Sequence, residues 1–179
     1  MDQHPGMSHR FSDIVFTSGV KAAQERYGTR ARNEKFRAGA GANETLGPGE
    51  IAFITARDSF YMATVGESGW PYLQHRGGPA GFLRVLGPRQ LAYADFRGNL
   101  QYVSVGNLAR DDRAALFLMD YANRRRLKIL GHVRAVDVAD PDPRVERIMQ
   151  IEIEAFEWNC SQHITPRFTR QEWEGITAS

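Results

Sequence analysis

An antiparallel β-barrel with flanking helices is the fold this chain predicts, and three observations carry the prediction. From Phe60 onward the apolar residues recur with a period of two, the spacing of half-buried strands. Glycine-bearing turns, Gly66–Gly69 and Gly87–Pro88, separate these runs at hairpin distances. Finally, Ala114–Met119 is an apolar run bounded by charge, as a strand covered on both faces requires. Six strands threaded by short turns, with helices at both ends, make a β-barrel with helical additions.

Taken in order, the first dozen residues are polar and are expected to be poorly ordered. Ser18–Ala38 reads as one helix, because Val20, Ala23, Tyr27 and Ala31 lie three to four apart. Gly39–Asn43 is a glycine-rich linker, and Pro48 opens a second helix carrying Ile51, Ala52 and Ile54 up to Ala56. Strands follow at Phe60–Val65, Trp70–Arg76, Gly81–Leu86 and Leu91–Asp95. The segment Asn99–Arg110 switches back to a short helix before the buried run. Arg126–Val138 is a long strand that Pro141–Pro143 breaks. Val145, Ile148, Met149 and Ile151 then predict a helix reaching about Phe156. Residues 1–48 thus form a helical extension, and 49–179 the barrel with its C-terminal helix.

The chain has 179 residues, the size of one domain with a sizeable core. A net charge of +2 gives no ground for a nucleic-acid partner or an acidic membrane surface. The lone Cys160 excludes an internal disulfide and fits a reducing cytoplasm. The N-terminal residues lack a basic region followed by an apolar core, and no apolar run approaches bilayer length, so neither signal peptide nor membrane span is expected. One cysteine and five scattered histidines lack metal-ligand spacing. There is no G-x-G-x-x-G after a strand, no G-x-S-x-G and no H-E-x-x-H.

Four clusters could carry chemistry. In Gln74-His75-Arg76, alternation sends Gln74 and Arg76 to one face and His75 to the other, and Gly77 and Gly78 allow a planar ligand close to the backbone. The second cluster holds Asp95, Arg97, Asn99, Gln101, Tyr102 and Ser104. Here Gly98 supplies a turn, Asn99 is a candidate N-cap, and a helix start beside Arg97 suits a phosphate. In the third, Arg126 and Lys128 share a strand face opposite Leu127 and Ile129. The fourth, Trp158-Asn159-Cys160-Ser161-Gln162-His163, follows the last long element. For each cluster a purely structural role competes: a polar edge strand, a capped surface helix, a solvated charge run, and a tryptophan anchoring the core.

The order of these parts resembles the FMN-binding split barrels of the pyridoxamine 5'-phosphate oxidase family. The matching stretch runs from Tyr61 to Gly131, through YMATVGESGWPYLQHRGGPAG, the R-G-N turn, N-L-A-R-D-D-R-A-A-L-F and the basic strand RRRLKILG, and extends through Trp158–His163. The resemblance implies an FMN-dependent oxidoreductase that passes electrons from a reduced donor, a nicotinamide among the possibilities, to oxygen or another acceptor. It implies a homodimer with a flavin site at each interface. Gln74, His75, Arg76, Gly77, Arg97 and Ser104 would hold ring and ribityl-phosphate, and Arg126 with Lys128 would lie near flavin N1. Trp158 and His163 would approach ring or substrate across the interface and are the candidate catalytic residues. A lysine usually follows the Gln74–Arg76 strand in the vitamin-forming oxidases, and Pro79 stands there in this chain, so pyridoxal-phosphate synthesis is not expected. The alternatives are a non-catalytic flavin carrier or sensor, and a haem or deazaflavin protein on the same barrel. Haem would need an axial ligand such as His75 or His163.

Overall fold

Alternating burial carries most of the chain into one sheet. In the computed structural model, which describes residues 9–39, 41–98, 100–138 and 142–177, seven strands pair antiparallel in the order β2-β1-β5-β6-β7-β4-β3. These are β1 (Ser59–Val65), β2 (Pro71–Gly77), β3 (Arg84–Gly87), β4 (Gln90–Phe96), β5 (Arg113–Asp120), β6 (Arg125–Asp137) and β7 (Val145–Trp158). On β5, Ala114, Leu116 and Leu118 turn inward while Arg113 and Ala115 turn out, as the period of two dictates. The inward set meets Phe60 and Met62 from β1, Leu127 and Ile129 from β6, and Met149 and Ile151 from β7, all essentially removed from water. Phe60 stacks on Phe82 and meets Tyr93 edge-on, at 5.7 and 5.3 Å between ring centres.

The main correction is at Val145–Phe156, which is the longest strand and not a helix. Met149, Ile151, Ile153 and Ala155 are buried and Gln150 and Glu152 exposed, a period of two that the three-residue step from Ile148 to Ile151 obscures. β7 lies between β6 and β4, so backbone pairing on both sides decides its conformation. One bulge, between Leu130 and Gly131, adjusts the β6–β7 register. A Cβ on Gly131 would stand 2.5 Å from the Glu152 carbonyl oxygen, a clash with backbone that no rotamer relieves. Gly131→Ala is therefore expected to destabilise the chain by roughly 1–3 kcal/mol, read from its urea midpoint.

The helices differ from expectation in detail. The expected helix Ser18–Ala38 is two, α2 (Ser18–Arg26) and α3 (Arg30–Gly39), separated where Gly28 takes a left-handed φ of 67°. They follow α1 (Arg10–Val15), whose first three residues belong to the dozen expected to be poorly ordered, while residues 1–8 of that dozen lie outside the described residues. The ordering of α1 is long-range. Asn43 accepts from the Phe11 amide at 3.3 Å and donates to the Phe156 carbonyl, while His9 beside it is buried and Arg10 pairs with Glu154 of β7. α4 (Pro48–Thr55) forms as Pro48 and its apolar residues predict. The strand expected from Gly81 begins only at Arg84, because Gly81 turns at a φ of 81°. The helix expected over Asn99–Arg110 is the shorter α5 (Val103–Leu108). Its N-cap is Tyr102, and Asn99 lies outside the described residues. A last helix, α6 (Arg170–Thr177), closes the described chain. No helix among the described residues is long and apolar enough to cross a membrane.

Candidate functional site

β2 alternates as expected. Tyr72, Gln74 and Arg76 turn inward, while Leu73 and His75 face out. Because β2 is one edge of the sheet and β4 lies beside the other, inward side chains from the two strands meet where the barrel closes. Arg76 Nη1 donates to Asp95 Oδ1 at 2.9 Å across that gap. On the other oxygen, Arg147 Nη1 donates to Asp95 Oδ2, also at 2.9 Å, from the strand position directly opposite Asp95. All three side chains are largely withdrawn from solvent, at 15%, 8% and 12% exposure for Arg76, Asp95 and Arg147. Burial works against the charge of Arg147, but the hydrogen bond and charge of Asp95 outweigh it and raise its pKa above the ordinary arginine value.

This closure forms the floor of a cleft of about 50 Å³. Seven of the residues singled out from sequence converge on it: Gln74, Arg76, Asp95, Gly98, Gln101, Tyr102 and Ser104. Ser104 is buried at the start of α5 and donates to Gln74 Oε1 at 3.1 Å. The Tyr102 ring lies under the Arg147 guanidinium, 5.2 Å away, and its hydroxyl donates to Glu146 Oε1 at 3.1 Å. Arg97 does not line the cleft; it is two-thirds exposed, with Nε 3.3 Å from the same Glu146 oxygen. Arg76 Nε is buried and has no hydrogen-bond partner among the described residues. Burial pushes the Tyr93 phenol above its ordinary range, with Arg76 and Asp95 pulling in opposite directions, so it stays protonated at neutral pH.

The other residues singled out stand elsewhere. His75 is on the outer face, edge-on to Tyr61 at 5.6 Å. Arg126 and Lys128 do share a face, opposite the buried Leu127 and Ile129. Arg126 Nε is buried without a partner among the described residues, whereas Lys128 lies 3.9 Å from Glu157 and beside the Phe11 ring. Trp158 donates to Glu50 Oε1 at 2.7 Å and packs edge-on against Phe53, with the Arg125 guanidinium over its ring. It anchors α4. His163 is exposed in the loop after β7. The glycine pair serves the chain itself: a Cβ on Gly78 would meet the Phe82 ring at 2.8 Å, so the space expected for a planar ligand at Gly78 holds Phe82, while Gly77 ends β2 opposite Ser59. Arg147 and Glu146 were missed. Their signal was the place of Arg147 opposite Asp95, which is visible only once Val145–Trp158 is read as a strand. No group of three or more His, Cys, Asp and Glu among the described residues could hold a metal ion.

Residues 51–168, which carry the whole cleft, match the family model for pyridoxamine 5'-phosphate oxidase. The chain belongs to this family. Among solved structures, the oxidase family's fold is shared with a Lactobacillus delbrueckii protein named as a pyridoxamine 5'-phosphate oxidase, at 18% identity and a TM-score of 0.52, over 64% of this chain and 94% of that one. The HupZ protein of Group A Streptococcus aligns at 10% identity with a TM-score of 0.52, over 69% of this chain and all of its own. No curated protein matches the chain. The family match spans the seven strands and leaves α1, α2, α3 and α6 outside it.

Proposed function

We propose that this chain is an FMN-binding flavoprotein and an oxidoreductase, passing electrons through FMN from a reduced donor to oxygen or another acceptor. One observation carries the reading: the cleft presents buried guanidinium groups, and Arg76 Nε has no acceptor among the described residues. A buried donor of that kind wants an anionic oxygen. A cavity of about 50 Å³ accommodates a phosphate-sized group and not a three-ring system, so the cleft suits the phosphate end of FMN and the ring lies beyond it. Bound FMN would supply hydride and electron transfer. Arg76 holds the phosphate, Arg97 adds charge from outside the cleft, Gln74 and Ser104 fix the cleft wall, and the unpartnered Arg126 Nε offers a donor and positive charge to the flavin's N1 side.

The outer face leaves Tyr61, Val65, Trp70 and Leu73 exposed, an apolar surface that supports pairing with a second chain. In this reading the homodimer places each flavin at the interface, and His163 reaches the partner's site. Arg97→Ala is expected to weaken FMN binding less than Arg76→Ala does, because Arg97 is exposed and screened by solvent. Flavin fluorescence titration of the two variants checks the order.

Mixing the FMN-loaded protein with reduced nicotinamide under anaerobic conditions tests the catalytic part. Bleaching of the flavin band at a rate that saturates with donor supports an oxidoreductase. Bound FMN that no donor reduces saturably makes the chain a carrier or sensor, and a shifted, sharpened Soret band that stays with the protein after excess haem is removed would favour the haem alternative.

A further inference from the structure

We propose that the helical hairpin α2–α3 is a docking arm for single-stranded nucleic acid, with Lys21, Arg26, Arg32 and Lys35 meeting its phosphates. The net charge of +2 conceals an uneven distribution. Residues 1–39 hold seven Lys and Arg against four Asp and Glu, whereas residues 40–179 hold sixteen against seventeen. Three of the seven are engaged within the fold: Arg10 with Glu154, Arg30 with Glu34 and Arg37 with Asp13. Lys21, Arg26, Arg32 and Lys35 are exposed and form no ion pair among the described residues. Glu25 is the hairpin's one acid that also lacks a partner among them, so four free cations stand against one carboxylate. The family match begins at residue 51, so the arm is an addition to the barrel and this role is independent of the flavin reading.

On α3, Asn33, Glu34 and Arg37 are half-buried, while Arg32 and Lys35, three apart on one helical face, turn to solvent. Gln24 of α2 accepts from Arg30 Nη1 at 3.0 Å and ties the two helices together across the left-handed Gly28. α2 buries none of its residues, so the stripe of Val20, Ala23, Tyr27 and Ala31 that reads as core-facing in the sequence is exposed throughout. That stripe is too poor in large side chains to enter a bilayer, since membrane-surface helices carry Trp, Phe or Leu where this one has Val20 and two alanines. A second copy of the arm would bring like charge, and the nearly neutral remainder of the chain offers no counter-charge. Single-stranded nucleic acid answers both parts of the surface. Its phosphates meet the four cations, and its unpaired bases stack on the rings that stand among them. Tyr27 is 73% exposed with the Arg26 guanidinium 5.6 Å from its ring centre, and Phe36 is 53% exposed with His9 against one side.

The test is the fluorescence anisotropy of a fluorescein-labelled oligouridine with the full chain, between about 50 and about 200 mM salt. Four phosphate contacts predict that log affinity falls against log salt with a slope of about −3. Lys21→Gln/Arg32→Gln/Lys35→Gln, with one contact left, should give about −1 and a weaker complex. Tyr27→Ala keeps every charge, so it should lower affinity roughly tenfold at an unchanged slope. No anisotropy change with the parent chain, or the parent's slope in the triple variant, overturns the proposal. Tighter binding of a duplex of the same length overturns it as well, and so does sedimentation with phosphatidylserine vesicles in place of oligonucleotide binding. Excess FMN should leave the oligonucleotide bound, and its displacement would move the contact to the cleft and contradict the arm. Should the triple variant lose its fold, Tyr27→Ala decides alone, and undiminished affinity in it removes the assignment.

Discussion

Replacing Asp95 with Asn is expected to destabilise the chain by about 3–5 kcal/mol, because it leaves two largely buried guanidinium groups without their shared carboxylate. The change alters charge and barely alters volume, so packing loss does not contribute. Its effect is amplified by position. Arg76 belongs to the edge strand and Asp95 to a strand beside the opposite edge, so this pair ties together the two ends of the sheet. Urea unfolding at an unchanged slope measures the difference directly. A shift below about 1 kcal/mol would mean that water compensates both arginines and that the closure is looser than the geometry indicates. In the proposed FMN reading the same variant also loses FMN affinity, since Arg76 then lacks its anchor.

Trp158→Ala is the second large effect, at about 3–5 kcal/mol from lost packing and the cavity left behind. The indole fills the space beside Phe53 at a ring separation of 4.7 Å, and its N–H satisfies Glu50, whose other oxygen accepts from the Gly47 amide at the start of α4. Removing it unties α4 from β7. Trp158→Phe keeps a ring against Phe53 and Arg125 and should cost less. The fluorescence of bound FMN separates this anchoring role from the ring contact the family resemblance implies. An indole packed on Phe53 leaves the flavin emission unchanged when removed, whereas one lying over the isoalloxazine quenches it and would release a clear increase.

The fold was legible wherever one strand states its own alternation. Gln74, Arg76 and His75 divide between faces as a period of two requires, and Ala114–Met119 is a strand as expected but buried on one face only, with Ala115 exposed and Phe117 and Met119 half-buried on the other. The apolar spacing at Val145–Ile151 misled because it fits both periods, and only the strands on either side decide between them. That single misreading hid Arg147, since its partner Asp95 is 52 residues away. α1 was hidden for the same kind of reason. His9 and Phe11 are held through Asn43, which itself reaches Phe156, so nothing near the N-terminus announces the packing. Phe82 filling the space at Gly78 is likewise a tertiary fact.

The most direct measurement of the central claim is the visible spectrum of the purified chain after FMN is added and the excess removed by desalting. A retained two-band flavin spectrum at one FMN per chain, with riboflavin washing out under the same conditions, is the result expected from a phosphate-anchored site. A colourless protein, or equal retention of riboflavin, would contradict it.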